Sequence, residues 1–179
     1  AISSVHALGF SHRDIKPENI LAGPYGEVLL LDWGLAKVWH PDGTAVPDEA
    51  SNKTLEIKDI SLTEAGKAQG TAHYMSPEQI ERDPAIDHRT DIFSLGAVLY
   101  EILCGETPAK GEKLHEIIHS VQNDVPTPPS KLTRAKIPRL LEDLAMRCLS
   151  KKPDDRYQSM AEIILLLQQD WRHDLVPGS

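Results

Sequence analysis

The feature that most constrains the fold of this chain is a polar octapeptide, H-R-D-I-K-P-E-N at residues 12–19. Two short apolar runs follow it, at residues 20–22 and 27–31, and the turn sequence G-P-Y-G separates them. Apolar runs of this length around a turn that contains glycine and proline predict a β-hairpin. The second run leads directly into D-W-G at residues 32–34, so two acidic loops flank one hairpin.

These two loops contain the residue types that a phosphoryl-transfer site uses. Such a site needs a carboxylate that orients an attacking hydroxyl and accepts its proton, and oxygen ligands for Mg²⁺ between the transferring phosphates. Asp14, Asn19 and Asp32 supply these groups. The segment resembles the catalytic and metal-binding loops of the eukaryotic-type protein serine/threonine kinases, whose signature is H-R-D-L-x-x-x-N followed by D-F-G.

The resemblance extends over nearly the whole chain. Residues 70–78, G-T-A-H-Y-M-S-P-E, resemble the family's substrate-docking loop, with Ser76 in place of its alanine. Residues 91–96, D-I-F-S-L-G, resemble the start of the family's long central helix. The segments T-E-A-G-K-A-Q-G-T and Y-M-S-P-E-Q favour the bacterial branch of the family.

The resemblance implies a catalytic or binding role for several residues of these loops. Asp14 would be the catalytic base, and Lys16 would hold the γ-phosphate of ATP, as in enzymes that act on serine and threonine rather than tyrosine. Asn19 and Asp32 would hold two Mg²⁺ ions. Thr71 would bond to Asp14 and Lys16 and help to form the site for the acceptor hydroxyl. ATP and Mg²⁺ are thus the implied cofactors.

Other motif residues are implied to be structural. His12 would pack beneath Trp33, the aromatic residue of the metal-binding loop, and meet the central helix near Asp91. Glu78 and Arg156 would form a buried ion pair, and breaking such a pair typically costs about 3 to 5 kcal/mol. Trp33 replaces the family's phenylalanine. Either its larger indole is tolerated in the same hydrophobic stack, or it alters the switch between active and inactive loop positions.

Regulation by phosphorylation is also implied. Arg13 precedes the catalytic base and carries a positive charge that an anion must meet, which in this family is a phosphorylated activation segment. Ser61 and Thr63 lie where such phosphosites fall, although a hydroxyl in a polar loop can equally be only solvated. The activation segment, residues 32–78, is longer than usual for the family. Residues from about 39 to 58 are therefore interpreted as an insertion of unassigned function.

Beyond the activation segment, apolar residues at three- and four-residue spacing predict a mostly helical domain. Proline-rich segments separate helices that are expected at residues 90–103, about 112–121, about 137–149 and 159–171. The first residues show an amphipathic pattern that indicates the last turns of another helix. The expected fold is mostly α, with a helical core and a small hairpin that carries the polar loops. It corresponds to the C-terminal lobe of a protein kinase over residues 1–173, with a tail at 174–179 and the N-terminal lobe absent.

Composition argues against several classes of partner. Nineteen Lys and Arg against 27 Asp and Glu give a net charge of −8, which disfavours nucleic-acid binding. No apolar run approaches the ~18 residues of a membrane span. Cys104 and Cys148 lie in apolar helical patterns without paired spacing, as expected of reduced thiols in the cytoplasm. His115 and His119 have a spacing that can hold a metal, but the sequence offers no third ligand beside them.

These observations lead to one principal hypothesis and one alternative. The chain is expected to be the catalytic lobe of a serine/threonine kinase, either cytoplasmic or on the cytoplasmic side of a membrane-anchored parent. The family's Gly-rich loop, its V-A-I-K lysine and the partner glutamate belong to the N-terminal lobe, so we expect the chain alone to be inactive. The expected partners are a protein substrate and that missing lobe. The alternative is a non-catalytic kinase lobe that binds proteins, and the intact set Asp14, Lys16, Asn19 and Asp32 favours the enzyme.

Overall fold

Helices dominate the computed structural model, which describes residues 2–39 and 68–174 of the chain. The helices in these ranges are α1 (Ile2–Ala7), α2 (68–72), α3 (Pro77–Glu81), α4 (Arg89–Cys104), α5 (Leu114–Asn123), α6 (Arg139–Cys148) and α7 (Met160–Asp174). The strands are β1 (Phe10–Ser11), β2 (Ile20–Ala22), β3 (Val28–Leu30) and β4 (Lys37–Val38). Single 3-10 turns lie at Pro17–Asn19, Pro129–Lys131 and Pro153–Asp155.

The mostly helical fold agrees with the periodicity of the sequence. The four predicted helices correspond to α4, α5, α6 and α7, with ends that differ by one to three residues from the expected ones. The helix expected from the first residues is α1, and it ends where Gly9 adopts a positive φ of 79°. Helix α7 continues to Asp174, so this residue belongs to the helix and not to the expected tail.

The predicted hairpin forms from β2 and β3. The strands are antiparallel, and Leu21 lies opposite Leu29 at the centre of the register. Gly26, in the turn, has a φ of 86°, a conformation that glycine adopts without steric cost. A second small sheet pairs β1 with β4, which joins the chain before the catalytic loop to the chain after D-W-G. Both acidic loops are therefore held at their ends by strand pairing.

The core lies between α4 and α6. Gly96 of α4 faces Cys148 of α6, and a Cβ atom at Gly96 would lie 2.4 Å from the Cβ of Cys148. Glycine is required here because any side chain would force the two helices apart. The Cys148 thiol is fully buried, and burial raises its pKa to about 12. Both cysteines are free thiols, although Cys104 is only partly buried.

Two clusters of buried side chains surround this contact. One joins the catalytic loop to α4 and α5, and the other joins α4 to α6 and α7. The second cluster consists of Ile92, Leu144, Cys148, Tyr157, Met160 and Ile163. In the ranges that the structure describes, the helices all fall short of the length and apolar character that crossing a membrane requires.

Candidate active site

The carboxylate of Asp14 is the centre of the catalytic loop, and it is 7% exposed. Lys16 Nζ donates to both of its oxygens, at 2.9 and 2.8 Å. Asn19 Nδ2 donates to Asp14 Oδ2 at 2.9 Å and to the Asp14 carbonyl at 2.8 Å. Charge-assisted hydrogen bonds of this length are stronger than neutral ones, so they fix the orientation of the carboxylate.

The local sequence explains how Asn19 reaches back to Asp14. Pro17 occupies the first position of the 3-10 turn, where its fixed φ is compatible with the turn and its missing N–H is not needed. The turn closes when the N–H of Asn19 donates to the carbonyl of Lys16 at 3.0 Å. The loop therefore folds into a compact unit immediately before β2 begins.

Lys16 also connects the catalytic loop to the docking loop, residues 70–78. Its Nζ donates to Thr71 Oγ1, in α2, at 3.2 Å. We expected Thr71 to bond to both Asp14 and Lys16. Of these two contacts the structure contains the one with Lys16, and among the described residues no hydrogen bond joins Thr71 directly to Asp14. The lysine thus lies between the carboxylate and the threonine hydroxyl.

Asp91, near the start of α4, anchors the backbone of the catalytic loop. Its side chain is fully buried and accepts hydrogen bonds from the N–H of His12 at 2.7 Å and of Arg13 at 2.8 Å. It also lies 2.8 Å from His6 Nε2. Arg13 has a φ of 67°, in the left-handed region that few residues other than glycine adopt. The buried carboxylate compensates this strain by holding the Arg13 N–H.

His12 and Trp33 pack together below the hairpin. Their rings are 4.5 Å apart in an edge-on arrangement, and His12 Nε2 lies 3.0 Å from the carbonyl of Leu31. His12 therefore contacts both Trp33 and the Asp91 carboxylate. The Trp33 indole N–H donates to the Leu30 carbonyl at 3.0 Å, and 41% of the residue remains exposed. The indole therefore has a hydrogen-bond partner for its N–H while part of the ring stays in contact with solvent.

The groups available for a metal ion are the Asn19 side-chain oxygen and the Asp32 carboxylate. Both acceptors near Asn19 Nδ2 belong to Asp14, so the amide oxygen points away from them. Within the described residues this oxygen accepts no hydrogen bond, which leaves it available to a cation. Asp32 has a φ of 58° and an exposed side chain, with one oxygen accepting from the N–H of Gly34 at 3.3 Å. Within residues 2–39 and 68–174, no group of three or more His, Cys, Asp or Glu side chains is placed to hold a metal. Mg²⁺ does not require one, since it commonly takes one or two carboxylates and completes its shell with water and phosphate oxygens. The donor set therefore fits Mg²⁺.

Glu78 and Arg156 tie the docking loop, residues 70–78, to the segment between α6 and α7. Both oxygens of Glu78 accept from the Arg156 guanidinium, at 2.6 and 2.8 Å, and the arginine side chain is fully buried. Arg156 also donates to the carbonyls of Arg89, Ser150 and Lys151. Every part of the buried guanidinium thus has an acceptor, which is the condition under which a buried charge is tolerated.

Arg13 is the residue that we expect a phosphate on the activation segment to contact. Its guanidinium contacts neutral acceptors, Ser11 Oγ at 3.2 Å and the Ile86 carbonyl at 3.5 Å. Burial lowers the pKa of Arg13, and the charge of Asp91 opposes this shift. No carboxylate forms an ion pair with the Arg13 guanidinium among the residues that the structure describes. Ser61 and Thr63 lie outside the described residues, as does all of the expected insertion except Trp39.

Three contacts near the site were not anticipated from the sequence. His6 meets Asp91, Tyr74 donates to Glu101 at 2.6 Å, and Gln79 donates to the Arg13 carbonyl at 2.7 Å. Of these contacts, only the one made by Gln79 involves a recognisable sequence pattern, because S-x-x-Q at the start of a helix is a capping box. The two metal candidates of α5, His115 and His119, are exposed.

Comparison with known proteins identifies the class to which this fold and site belong. Residues 1–171 match the family described as the protein kinase domain. PknD, a serine/threonine-protein kinase of Protochlamydia amoebophila, is 39% identical over 168 residues, 92% of this chain and 17% of the relative. PknB, a serine/threonine-protein kinase of Mycolicibacterium smegmatis, is 35% identical over 163 residues, 91% of this chain and 23% of the relative.

A third relative gives the same result. A probable serine/threonine-protein kinase of Clostridium acetobutylicum is 37% identical over 164 residues, which cover 92% of this chain and 22% of the relative. This chain belongs to the protein kinase family, and its bacterial relatives agree with the branch that the sequence motifs favour. The family predicted from the sequence is thereby confirmed. The chain spans about a fifth of the length of these relatives.

Proposed function

We propose that this chain is the C-terminal, catalytic lobe of a serine/threonine kinase, which transfers the γ-phosphate of ATP to a serine or threonine of a protein substrate. The observation that carries the proposal is the Asp14 carboxylate, which Lys16 and Asn19 hold in one orientation. A lobe that only bound proteins would have no physical need to assemble a carboxylate, an ammonium group and an amide at one point. The names of the bacterial relatives support the same function.

In this proposal each side chain performs one step. Asp14 orients the substrate hydroxyl and accepts its proton as the oxygen attacks the γ-phosphorus. Lys16 turns from the carboxylate towards the transferring phosphate and balances its charge. Thr71, which contacts Lys16, lies beside the acceptor hydroxyl and limits its positions. Asn19 keeps Asp14 in place while Lys16 moves, because its two bonds to Asp14 do not involve the lysine.

Asn19 and Asp32 would hold Mg²⁺, through the free amide oxygen and the exposed carboxylate described above. When bound, the metal neutralises charge on the phosphates of ATP and orients them. The apolar side chains of the hairpin support a covering N-terminal lobe as the partner of this one. Large fractions of them are exposed: Leu21 54%, Tyr25 94%, Val28 57%, Leu29 53% and Leu31 43%. Of these, Leu21 lies opposite Leu29 in the register, so the two side chains share one face of the hairpin. Exposed apolar side chains that lie together typically mark a contact with another protein segment.

Two further elements of the proposal concern regulation and location. Arg13, whose guanidinium contacts only neutral acceptors among the described residues, would bind a phosphate on the activation segment, with Ser61 and Thr63 as candidate sites. A phosphosite map of the active kinase that lacked both residues would contradict this assignment. The two free thiols are compatible with a reducing compartment, so the proposed location of the lobe is the cytoplasm.

The test of the proposed function uses the complete kinase that carries this chain. Wild type and Asp14→Asn are compared for transfer of labelled γ-phosphate to protein and peptide substrates that offer serine, threonine or tyrosine. Because a general base contributes about 10² to 10⁴ in rate, we expect Asp14→Asn to lower phosphotransfer at least 100-fold. Label should appear on serine or threonine, and not on tyrosine.

The matched control is Asp143→Asn, the same substitution at an exposed position of α6. It should retain wild-type activity. Equal phosphotransfer by wild type and Asp14→Asn would refute the proposal. A wild-type protein that binds partners tightly but transfers no phosphate would instead support the non-catalytic alternative. The 179-residue chain by itself is expected to be inactive, because the nucleotide is not positioned without the N-terminal lobe.

A further inference from the structure

Gln79 forms a bridge between the docking loop and the catalytic loop. At the start of α3 its Oε1 accepts from the N–H of Ser76 at 3.0 Å, while Ser76 Oγ accepts from the N–H of Gln79 at 3.3 Å. This reciprocal pair is a capping box. The other end of the same amide reaches across the fold, where Nε2 donates to the carbonyl oxygen of Arg13 at 2.7 Å.

The acceptor of this bond lies next to the catalytic base. The Arg13 carbonyl and the Asp14 N–H belong to one planar peptide unit, so the orientation of one determines that of the other. The Asp14 N–H points at His12 Nδ1, 3.2 Å away. Gln79 therefore holds one end of this peptide plane and His12 the other, and the plane carries the Cα atom of Asp14.

The conformation at Arg13 makes this restraint necessary. Its φ of 67° is unfavourable for a residue with a Cβ atom. Asp91 holds the N–H before the strained torsion, and Gln79 holds the carbonyl after it. Without Gln79 the Arg13 N–H would still be fixed by Asp91, but the peptide plane that leads into Asp14 would keep only its bond to His12.

The capping box alone does not explain why residue 79 is glutamine. Glutamate fits that position of a capping box equally well, because only acceptor oxygens are needed there. The bond to the Arg13 carbonyl requires a donor, and an ionised glutamate has none. An amide is the group that satisfies Ser76 and Arg13 at the same time.

We propose that Gln79 is a positioning residue, which sets the orientation of the catalytic carboxylate of Asp14 according to the placement of the docking loop. The inference rests on the proposed function, since it assigns Asp14 as the base. Gln79 itself does not touch the reacting atoms. When the docking loop is in place, α3 presents the amide to Arg13, and when the loop is displaced, the peptide before Asp14 loses this support.

The experiment compares Gln79→Glu, Gln79→Ala and wild type in the complete kinase. Gln79→Glu keeps an acceptor for Ser76 but loses the donor to Arg13, whereas Gln79→Ala loses both. Because leaving a carbonyl unpaired weakens the hold on the peptide plane, both variants should lower kcat by about tenfold. KM for ATP and for the substrate should change by less than about twofold, since Gln79 contacts neither of them. The melting temperature should fall in Gln79→Ala, which loses both interactions, and fall less in Gln79→Glu, which keeps the cap.

The matched control is Glu116→Ala in α5. Glu116 accepts from the N–H groups of Glu112 and Lys113 at 2.8 and 3.1 Å, so its loss also removes a helix cap. It should lower the melting temperature without lowering kcat. A Gln79→Glu enzyme with wild-type kcat would overturn the inference, because the capping interaction with Ser76 would then be the whole role of Gln79. A loss of kcat in Glu116→Ala equal to that in Gln79→Ala would overturn it as well.

Hydrogen exchange separates this inference from the proposed function. In Gln79→Glu the amide of Asp14 should exchange at least several-fold faster than in wild type, and in Glu116→Ala at the wild-type rate. An unchanged rate in Gln79→Glu would contradict the inference even if the enzyme were active. A wild-type kinase without phosphotransfer would refute the proposed function, and the exchange rates would still decide whether Gln79 restrains the catalytic loop.

Discussion

The β2–β3 hairpin and the helical base, meaning helices α3 to α7 and the segments between them, differ in how far their apolar side chains are buried. In the base, Ile92 of α4 and Leu144 of α6 are almost completely removed from solvent. In the hairpin, Leu21 and Leu29 form the central pair of the register and are each about half exposed. The base therefore has its own core, while the hairpin leaves several of its apolar side chains exposed.

The catalytic loop lies between these two regions, and the base controls its geometry. The loop runs directly into the hairpin at β2, and its Asn19 carbonyl accepts from the Leu31 N–H at 2.8 Å. The backbone around Arg13, however, bonds to Asp91 in α4 and to Gln79 in α3. Glu78 and Arg156 hold the docking loop to the same base. The polar groups buried in the base thus hold the candidate site, whereas the hairpin carries the two acidic loops and leaves apolar side chains exposed.

The largest expected effect is at the buried ion pair of the base. Arg156→Met leaves Glu78 buried without its cation, so the free energy of unfolding should fall by about 3 to 5 kcal/mol. Urea denaturation of the 179-residue chain measures this change. Arg139→Met is the control, because Arg139 and Asp143 form an exposed pair on α6 and should contribute little. If the free energy of unfolding fell by similar amounts in the two variants, burial would not be the reason for the contribution of the Glu78–Arg156 pair.

The next effect separates the two regions directly. Leu144→Ala empties a buried position and should lower the free energy of unfolding by about 3 kcal/mol. The same substitution at Leu29, in the half-exposed hairpin, should cost less than about 1 kcal/mol. Both are measured by urea denaturation of the chain. A hairpin variant as destabilised as the core variant would break the distinction between base and hairpin.

The smallest effect concerns pH and His88, which precedes α4. Burial lowers the pKa of His88 from its usual value of 6.5, while the Gln158 carbonyl and Asp87 oppose this shift, and His6 and Arg89 add to it. The unfolded chain therefore binds a proton near pH 6.5 that the folded chain takes up only at lower pH. Stability from this group is complete above about pH 6.5 and should decline as the pH falls through and below that value.

Thermal unfolding of the chain between pH 7.5 and 5, values on either side of the ordinary histidine pKa of about 6.5, tests this expectation. His88→Gln keeps a donor for the Gln158 carbonyl, which lies 2.9 Å from His88 Nε2, and should reduce the slope. A part of the slope should remain, because burial also lowers the pKa of His73. An unchanged slope in His88→Gln would exclude His88 as a source of the pH dependence.

Local patterns in the sequence predicted much of the fold. The hairpin and the helices could be placed without tertiary information, because each depends on the spacing of apolar residues and on turn residues that are close together in the sequence. The ends of the helices were less accurate, as α5 shows by starting at Leu114 and continuing to Asn123. Capping interactions decide those ends, and apolar periodicity does not reveal them.

The site was predictable only as far as family motifs reach. Asp14, Lys16 and Asn19 are close in sequence, and their mutual contacts follow from a compact loop. Contacts over 66 or 85 residues, such as those of Gln79 with Arg13 and His6 with Asp91, depend on how helices pack, which periodicity does not specify. The same limit explains why the surroundings of Trp33 and Thr71 were not fully predicted. The exposure of the indole and the placement of Lys16 between Thr71 and Asp14 are properties of the assembled fold.

Asp91 is the residue through which the helical base holds the backbone of the proposed catalytic loop. Asp91→Asn keeps the size of the side chain but replaces one of the oxygens that hold the His12 and Arg13 N–H groups. In the complete kinase, kcat for phosphotransfer should fall by at least about tenfold, because a charge-assisted bond to the loop is lost. Circular dichroism should show that the variant remains folded. A folded Asp91→Asn enzyme with wild-type kcat would contradict the account.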